Sequence, residues 1–215
     1  MERTIRITGK AKISARPDQT CIIMTCSGKD PDYDKVVEMS STETERIKTA
    51  LCSCGFDRKE IKTVSFDINT CFENRKTKNN DWERVFTGYE YSHELKVVFP
   101  MDNRRLSDIM QAISDSLVKP ELQISYELSD PESVKNELLA KAVEDAGNKA
   151  QILCKAAHVQ LMEIVQIDYS WAEVELHTTQ MMRSMKTMKA SSVAMEIEPE
   201  EITASDTVTV IYRIA

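Results

Sequence analysis

Polar and apolar positions alternate along much of this chain. Ile5, Ile7, Gly9, Ala11, Ile13 and Ala15 interleave with Arg6, Thr8, Lys10, Lys12 and Ser14, which predicts a strand with one wet face. Arg16-Pro17-Asp18 breaks it. Residues 20–27 are apolar on both faces and read as an inner strand. Asp30-Pro31 then predicts a helix start. Tyr33, Val37, Ser40, Thr44, Ile47, Leu51 and Cys54 follow at spacings of three and four, one stripe of a helix that Gly55 stops.

Alternation returns from Val64 to Phe72, and again from Val85 to Phe99. A polar stretch, residues 74–83, separates these two runs, so they are expected to form a long hairpin. Asp102 is placed to cap a helix with Leu106, Ile109, Met110, Ile113 and Leu117 on one side, followed by a short strand at 122–128. Asp130-Pro131 marks another helix start. The stripe of that helix is small: Val134, Leu138, Ala142, Ala146, Ala150, Leu153 and Ala157. Residues 165–171 alternate as a strand, residues 173–201 show no sustained period, and Val208 to Ile214 closes the chain as a strand. The order is β-β-α-β, β-α-β-α-β, long loop, β. It predicts an α+β fold of two-layer α/β sandwiches.

Composition narrows the function classes. The chain has 215 residues with 41% apolar and 29% charged, ordinary for a globular protein, and its mean hydropathy is −0.38. The longest apolar run is far too short to span a bilayer. Net charge of −7 and pI near 5.2 oppose nucleic-acid binding, which needs a clustered positive field. With only 5 glycines, none close together, no phosphate-cradling loop is encoded. Met1 to Thr4 runs straight into the first strand without an apolar leader, so a cytoplasmic location with six reduced cysteines is expected.

Three stretches resemble the SIMPL family, also known as DUF541. They are Ile5-Arg6-Ile7-Thr8-Gly9-Lys10-Ala11 with Arg16-Pro17-Asp18-Gln19; Ala50-Leu51, Gly55-Phe56 and Ile61-Lys62-Thr63 with Gly88-Tyr89; and Ala142, Ala146, Lys149-Ala150, Leu153-Cys154 and Ala157 with Pro199 and Val208-Thr209-Val210. His158 stands where the family usually has glycine, a departure that strains a left-handed helix cap. The resemblance implies two intertwined α+β subdomains, residues 1–83 with 172–215 and residues 84–171. It also implies a protein without established catalytic residues. Relatives include exported, stress-associated, ring- or channel-forming bacterial proteins and a mammalian kinase-binding adaptor.

The chemistry-bearing residues add little to an enzyme reading. No Gly-x-Ser-x-Gly, P-loop or HExxH is present. His93 lies on the apolar face of a strand and reads as a hydrogen-bonded core histidine. His177 with Met181 and Met182 has the softness for Cu(I), but methionine more often serves as adaptable packing. No catalytic residue, cofactor or metal is therefore expected. Trp82, beside Arg75, Lys76 and Lys78, and the Met181, Met182, Met185 and Met188 stretch are the candidate contact residues. The leading expectation is a non-enzymatic, self-associating structural or stress-related homo-oligomer. A protein-binding adaptor and a small-molecule enzyme or sensor with a cleft between subdomains are the alternatives.

Overall fold

The computed structural model of the protein describes residues 3–76, 81–169 and 197–215. The strands are β1 (Thr4–Ala15), β2 (Gln19–Asp30), β3 (Lys62–Lys76), β4 (Trp82–Pro100), β5 (Glu121–Glu127), β6 (Leu161–Asp168) and β7 (Ile202–Ile214). The helices are α1 (Tyr33–Ser53), α2 (Asn103–Asp115) and α3 (Pro131–Ala156). The fold is α+β, in the element order that alternation predicts. The Met181, Met182, Met185 and Met188 stretch lies outside the described residues.

The chain forms two compact units. One contains β1, α3, β6 and β7, with sheet order β1-β7-β6 and both pairings antiparallel. The other contains β2, α1, β3, β4, α2 and most of β5, with sheet order β3-β4-β2-β5. This grouping differs from a division at residues 83 and 84. That boundary cuts through the β3–β4 hairpin, whose strands pair from Lys62↔Lys96 to Lys76↔Trp82. It also separates α3 from its partner, β1.

The first unit closes around a close approach. Ala142, Ala146 and Ala150 are fully buried with Ile7, Ala11, Val208, Val210 and Tyr212. A Cβ on Gly9 would lie 2.0 Å from the Ala142 carbonyl oxygen, so helix and strand meet backbone to backbone. Asp145 accepts from the Lys10 backbone N–H at 2.7 Å, and the Lys149 ammonium donates to the Thr8 carbonyl at 3.3 Å. Asp18, after the break at Pro17, accepts from the Ser129 backbone N–H at 2.7 Å and from its hydroxyl. The Ser129 bonds hold the Asp18 carboxyl below its ordinary pKa.

The second unit uses larger side chains. Ile22, Met24, Ile47, Leu51, Leu95, Val97, Leu106 and Ile109 are buried. The Arg105 guanidinium lies 4.3 Å from the Phe56 ring centroid.

Helix ends explain most differences from the predicted stripes. Helix α1 starts at Tyr33 with Asp32 as its cap, two residues after Asp30, so Val36 is buried and Val37 is exposed. On α3, Cys154 faces the core and Leu153 is exposed. All three helices end in a residue with positive φ: Gly55, Leu117 and His158. Leu117 lies beyond α2 and is 82% exposed, so it belongs to no apolar stripe. At the end of α3, His158 N–H donates to Lys155 O and Val159 N–H to Cys154 O, the Schellman pattern that glycine usually serves.

Three substitutions separate these effects, each read by urea denaturation. Gly9→Ala forces the helix off the strand and is expected to cost about 3 kcal/mol or more. Gly147→Ala meets only the Tyr212 hydroxyl at 3.6 Å and is expected to gain about 1 kcal/mol from helix propensity. His158→Gly relieves the left-handed strain and is expected to gain about 1 kcal/mol.

Candidate interaction site

Strand β4 is longer than the strand beside it. β2 pairs with it only from Asp30↔Tyr89 to Gln19↔Pro100, because Pro31 turns the chain into α1. Gly88 makes that turn fit. Its φ is +132°, and a Cβ there would lie 2.4 Å from the Asp30 carbonyl oxygen. Past Gly88, residues 82–86 of β4 pair with β3 residues 72–76 and with no other strand among the described residues, with a register irregularity at Cys71 and Phe72. The result is a two-stranded ribbon reaching about 20 Å beyond the third strand.

One face of this ribbon alternates rings and cations. Phe72 sits opposite Phe86, Asn74 opposite Arg84 and Lys76 opposite Trp82. The Arg84 guanidinium lies 4.1 Å from the Phe72 ring centroid, and the Lys76 ammonium 5.3 Å from that of Trp82. Phe72 and Phe86 meet edge to face at 5.8 Å, and Phe86 continues to Tyr89 at 5.3 Å and Tyr33 beyond it at 5.2 Å. Phe72, Phe86, Tyr33 and Trp82 remain exposed, Trp82 by 68%. Exposed aromatic rings beside arginine are the residue types that dominate protein contacts. Sequence spacing singled out Trp82 but missed Phe72, Phe86 and Arg84. The signal was the mirrored alternation Phe72-Asn74-Lys76 and Trp82-Arg84-Phe86, legible only once the hairpin register is known.

The polar groups of the second unit are arranged for structure. His93 Nδ1 lies 2.9 Å from the Thr44 hydroxyl and 3.4 Å from that of Ser40, while Nε2 lies 3.2 Å from the Thr63 hydroxyl. A hydroxyl beside an imidazole is the nucleophile-and-base pairing of acyl transfer. Here Ser40 and Thr44 are buried on the inner face of α1, out of a substrate's reach, and a hydroxyl stands where a triad has its carboxylate. Burial, with Lys48 nearby, lowers the His93 pKa. Tyr91 donates to Glu43 at 2.6 Å, and burial together with that bond raises its pKa. Burial and Glu43 push the Cys26 thiol up to about 11, which leaves it unreactive. Asp67 stands opposite Ser92, and Asn69 opposite Glu90, so the two carboxylates are diagonal neighbours on the sheet. An open groove of about 800 Å³ runs between α1 and α2, lined by Ser41, Thr42, Glu45, Arg46, Thr49 and Asp115 among others.

Among the described residues, no group of three His, Cys, Asp or Glu is placed to hold a metal, and no helix is long and apolar enough to cross a membrane. The cysteines form no disulfide; Cys21, Cys26 and Cys154 are buried, and Cys52, Cys54 and Cys71 are half-buried.

The family model for SIMPL, a protein of unknown function (DUF541), matches residues 5–212. The chain is 25% identical over 166 residues to the 26 kDa periplasmic immunogenic protein of Brucella abortus (strain S19), covering 76% of this chain and 65% of that protein. It is 24% identical, with the same coverage, to the protein of the same name from Brucella melitensis biotype 1. The chain thus spans just under two thirds of the length of these relatives. The periplasmic location in the names of these relatives overturns the cytoplasmic expectation. Composition and charge suit either compartment, and the residues at 1–4 do not decide between them.

The His93 cluster predicts a pH dependence. A histidine whose folded pKa is lowered resists a proton that the unfolded chain accepts near 6.5. Its contribution is complete above that value and is lost as pH falls from there through the folded pKa. His93→Gln is expected to remove this part of the slope. Urea midpoints at pH 5 and pH 7 check it; an unchanged difference between them would count against the assignment.

Proposed function

The chain belongs to the SIMPL family, and from that premise we propose that it is a non-enzymatic, self-associating protein of the periplasm. The observation that carries this reading is the ribbon beyond Gly88. An isolated two-stranded hairpin is marginal in water. This one presents Phe72, Phe86 and Trp82 on a single exposed face. A second copy covering that face removes the aromatic surface from water and shields the ribbon's backbone bonds. The burial of Tyr91 and Cys26, and of the Ser40 and Thr44 hydroxyls against half-buried His93, supports the non-enzymatic part. The location follows the names of the Brucella relatives.

The triple variant Phe72→Ser, Trp82→Ser, Phe86→Ser tests this in the full chain. Light scattering across micromolar concentrations is expected to show an assembly for the native chain and a smaller species for the variant, with circular dichroism changed by no more than the loss of the ribbon's own strand ends. A native chain that stays monomeric throughout would end the reading. Equal masses for the native and variant chains would end the role of the ribbon.

A further inference from the structure

The hydrogen-bonding groups that line the groove between α1 and α2 divide into two sets. In the first, every group has a partner. The Glu45 carboxylate is ion-paired with Arg58, and the Asp115 carboxylate accepts from the Gln111 side-chain amide at 2.9 Å. The Thr49, Ser53 and Ser116 hydroxyls donate to the carbonyls of Glu45, Ala50 and Ile113 at 2.7, 2.6 and 2.6 Å. The second set is Ser41, Thr42 and Arg46, whose side chains have no hydrogen bond or ion pair among the described residues. Thr42 and Arg46 are one helical turn apart, so they stand on the same side of α1, and Ser41 borders them. The uncommitted groups can all donate, and one of them is a cation. Beside them, Ala50 and Ala112 give the groove an apolar wall from each helix.

We propose that this groove binds a small organic acid, its carboxylate held by Arg46 with the Ser41 and Thr42 hydroxyls and its carbon body lying on Ala50 and Ala112. The groove, about 800 Å³ in volume, has room for such a ligand. A guanidinium presents paired N–H donors that match a carboxylate. Charge selects among the oxyanions. Glu45 and Asp115 line the same groove, and the chain carries a net charge of −7, so a monoanion enters against less repulsion than a phosphate dianion. The two alanines favour a ligand with carbon to bury. The site lies wholly within the second unit and uses none of the ribbon, so it stands independently of the self-association reading.

Amide chemical shifts of the full chain, followed at constant ionic strength during titration with caproate, hexylammonium or inorganic phosphate, test it. Caproate is expected to give saturable shifts confined to residues 41–53 and 112–116, hexylammonium none, and phosphate binding at least several-fold weaker. Arg46→Gln is expected to abolish the caproate response, and Arg46→Lys to weaken it several-fold because an ammonium lacks the planar fork. Ala112→Leu leaves Arg46 in place but fills the groove, and is expected to abolish the response as well. Unchanged shifts elsewhere in each variant's spectrum show that the fold is kept. No saturable shift with caproate up to tens of millimolar overturns the site, as does an unchanged response in Arg46→Gln. Phosphate binding as tight as that of caproate, or an unchanged response in Ala112→Leu, overturns the organic-acid assignment. Equal responses to caproate and hexylammonium would mean that the groove takes alkyl chains without reading their charge, which overturns it too.

Discussion

Where α3 crosses β1, there is no room for a side chain on Gly9: a Cβ would stand 2.0 Å from the Ala142 carbonyl oxygen and 2.7 Å from the Ala146 nitrogen. That contact decides how the first unit can be built from segments far apart in sequence. Three buried alanines remove little area each, about 0.8 kcal/mol per methyl-sized group. Their value lies in what their size permits. With the helix backbone against the strand, dispersion contacts are dense. Asp145 and Lys149 are also brought within reach of the β1 backbone. Bulkier residues on either side would lift the helix and leave Thr8 and Lys10 with open backbone groups.

This closure makes the first sheet asymmetric. β7 is central and paired on both sides, β1 has its Thr8 carbonyl and Lys10 N–H met by α3, and β6 carries the other edge. The second unit is asymmetric for a different reason. There β2 stops at Asp30 because Pro31 cannot continue a ladder, while β4 runs on past Gly88 with β3 alone. In both units part of the exposed apolar surface lies where pairing runs out: Met162 to Ile167 on β6, and Phe72, Trp82 and Phe86 on the ribbon.

The order of ten elements was legible because strand alternation and helical stripes are strong local signals, and Asp102 and Asp130 cap their helices as the sequence predicts. Side-chain placement at helix ends was less legible. Tyr33 and Val37 fit a stripe by spacing, but the cap at Asp32 sets the phase and buries Val36. Leu117 continues an apolar pattern past a helix that has already ended in a left-handed residue. Periodicity did not group the elements into units, since it says nothing about which sheet a helix covers. The alanine stripe stood out for its small size and Gly9 sat in a strand pattern; their partnership is a fact of packing. Of the candidate contact surface, Trp82 was visible as an aromatic in a polar stretch. The alternating face around it depends on cross-strand register, which no single strand contains.

The ribbon draws its persistence and its recognition surface from the same residues. Lacking a third strand, it keeps its shape through cross-strand stacking: Phe72 against Phe86, Arg84 over Phe72 and Lys76 over Trp82. At exposed sites a cation–π contact contributes about 0.5–1 kcal/mol and an aromatic pair about 0.5–1.5 kcal/mol. These values are enough to bias a hairpin toward its folded form without burying it. Cations lying over rings also shield part of the apolar face from water, which lowers the cost of exposing the ribbon before a partner covers it. When a partner covers it, the rings are already in position and little side-chain freedom remains to be lost, which is the advantage of preorganisation in any contact. A ribbon with aliphatic residues at 72, 82 and 86 would keep its hydrophobicity but lose both the stacking that orders it and the cations that tie it to water.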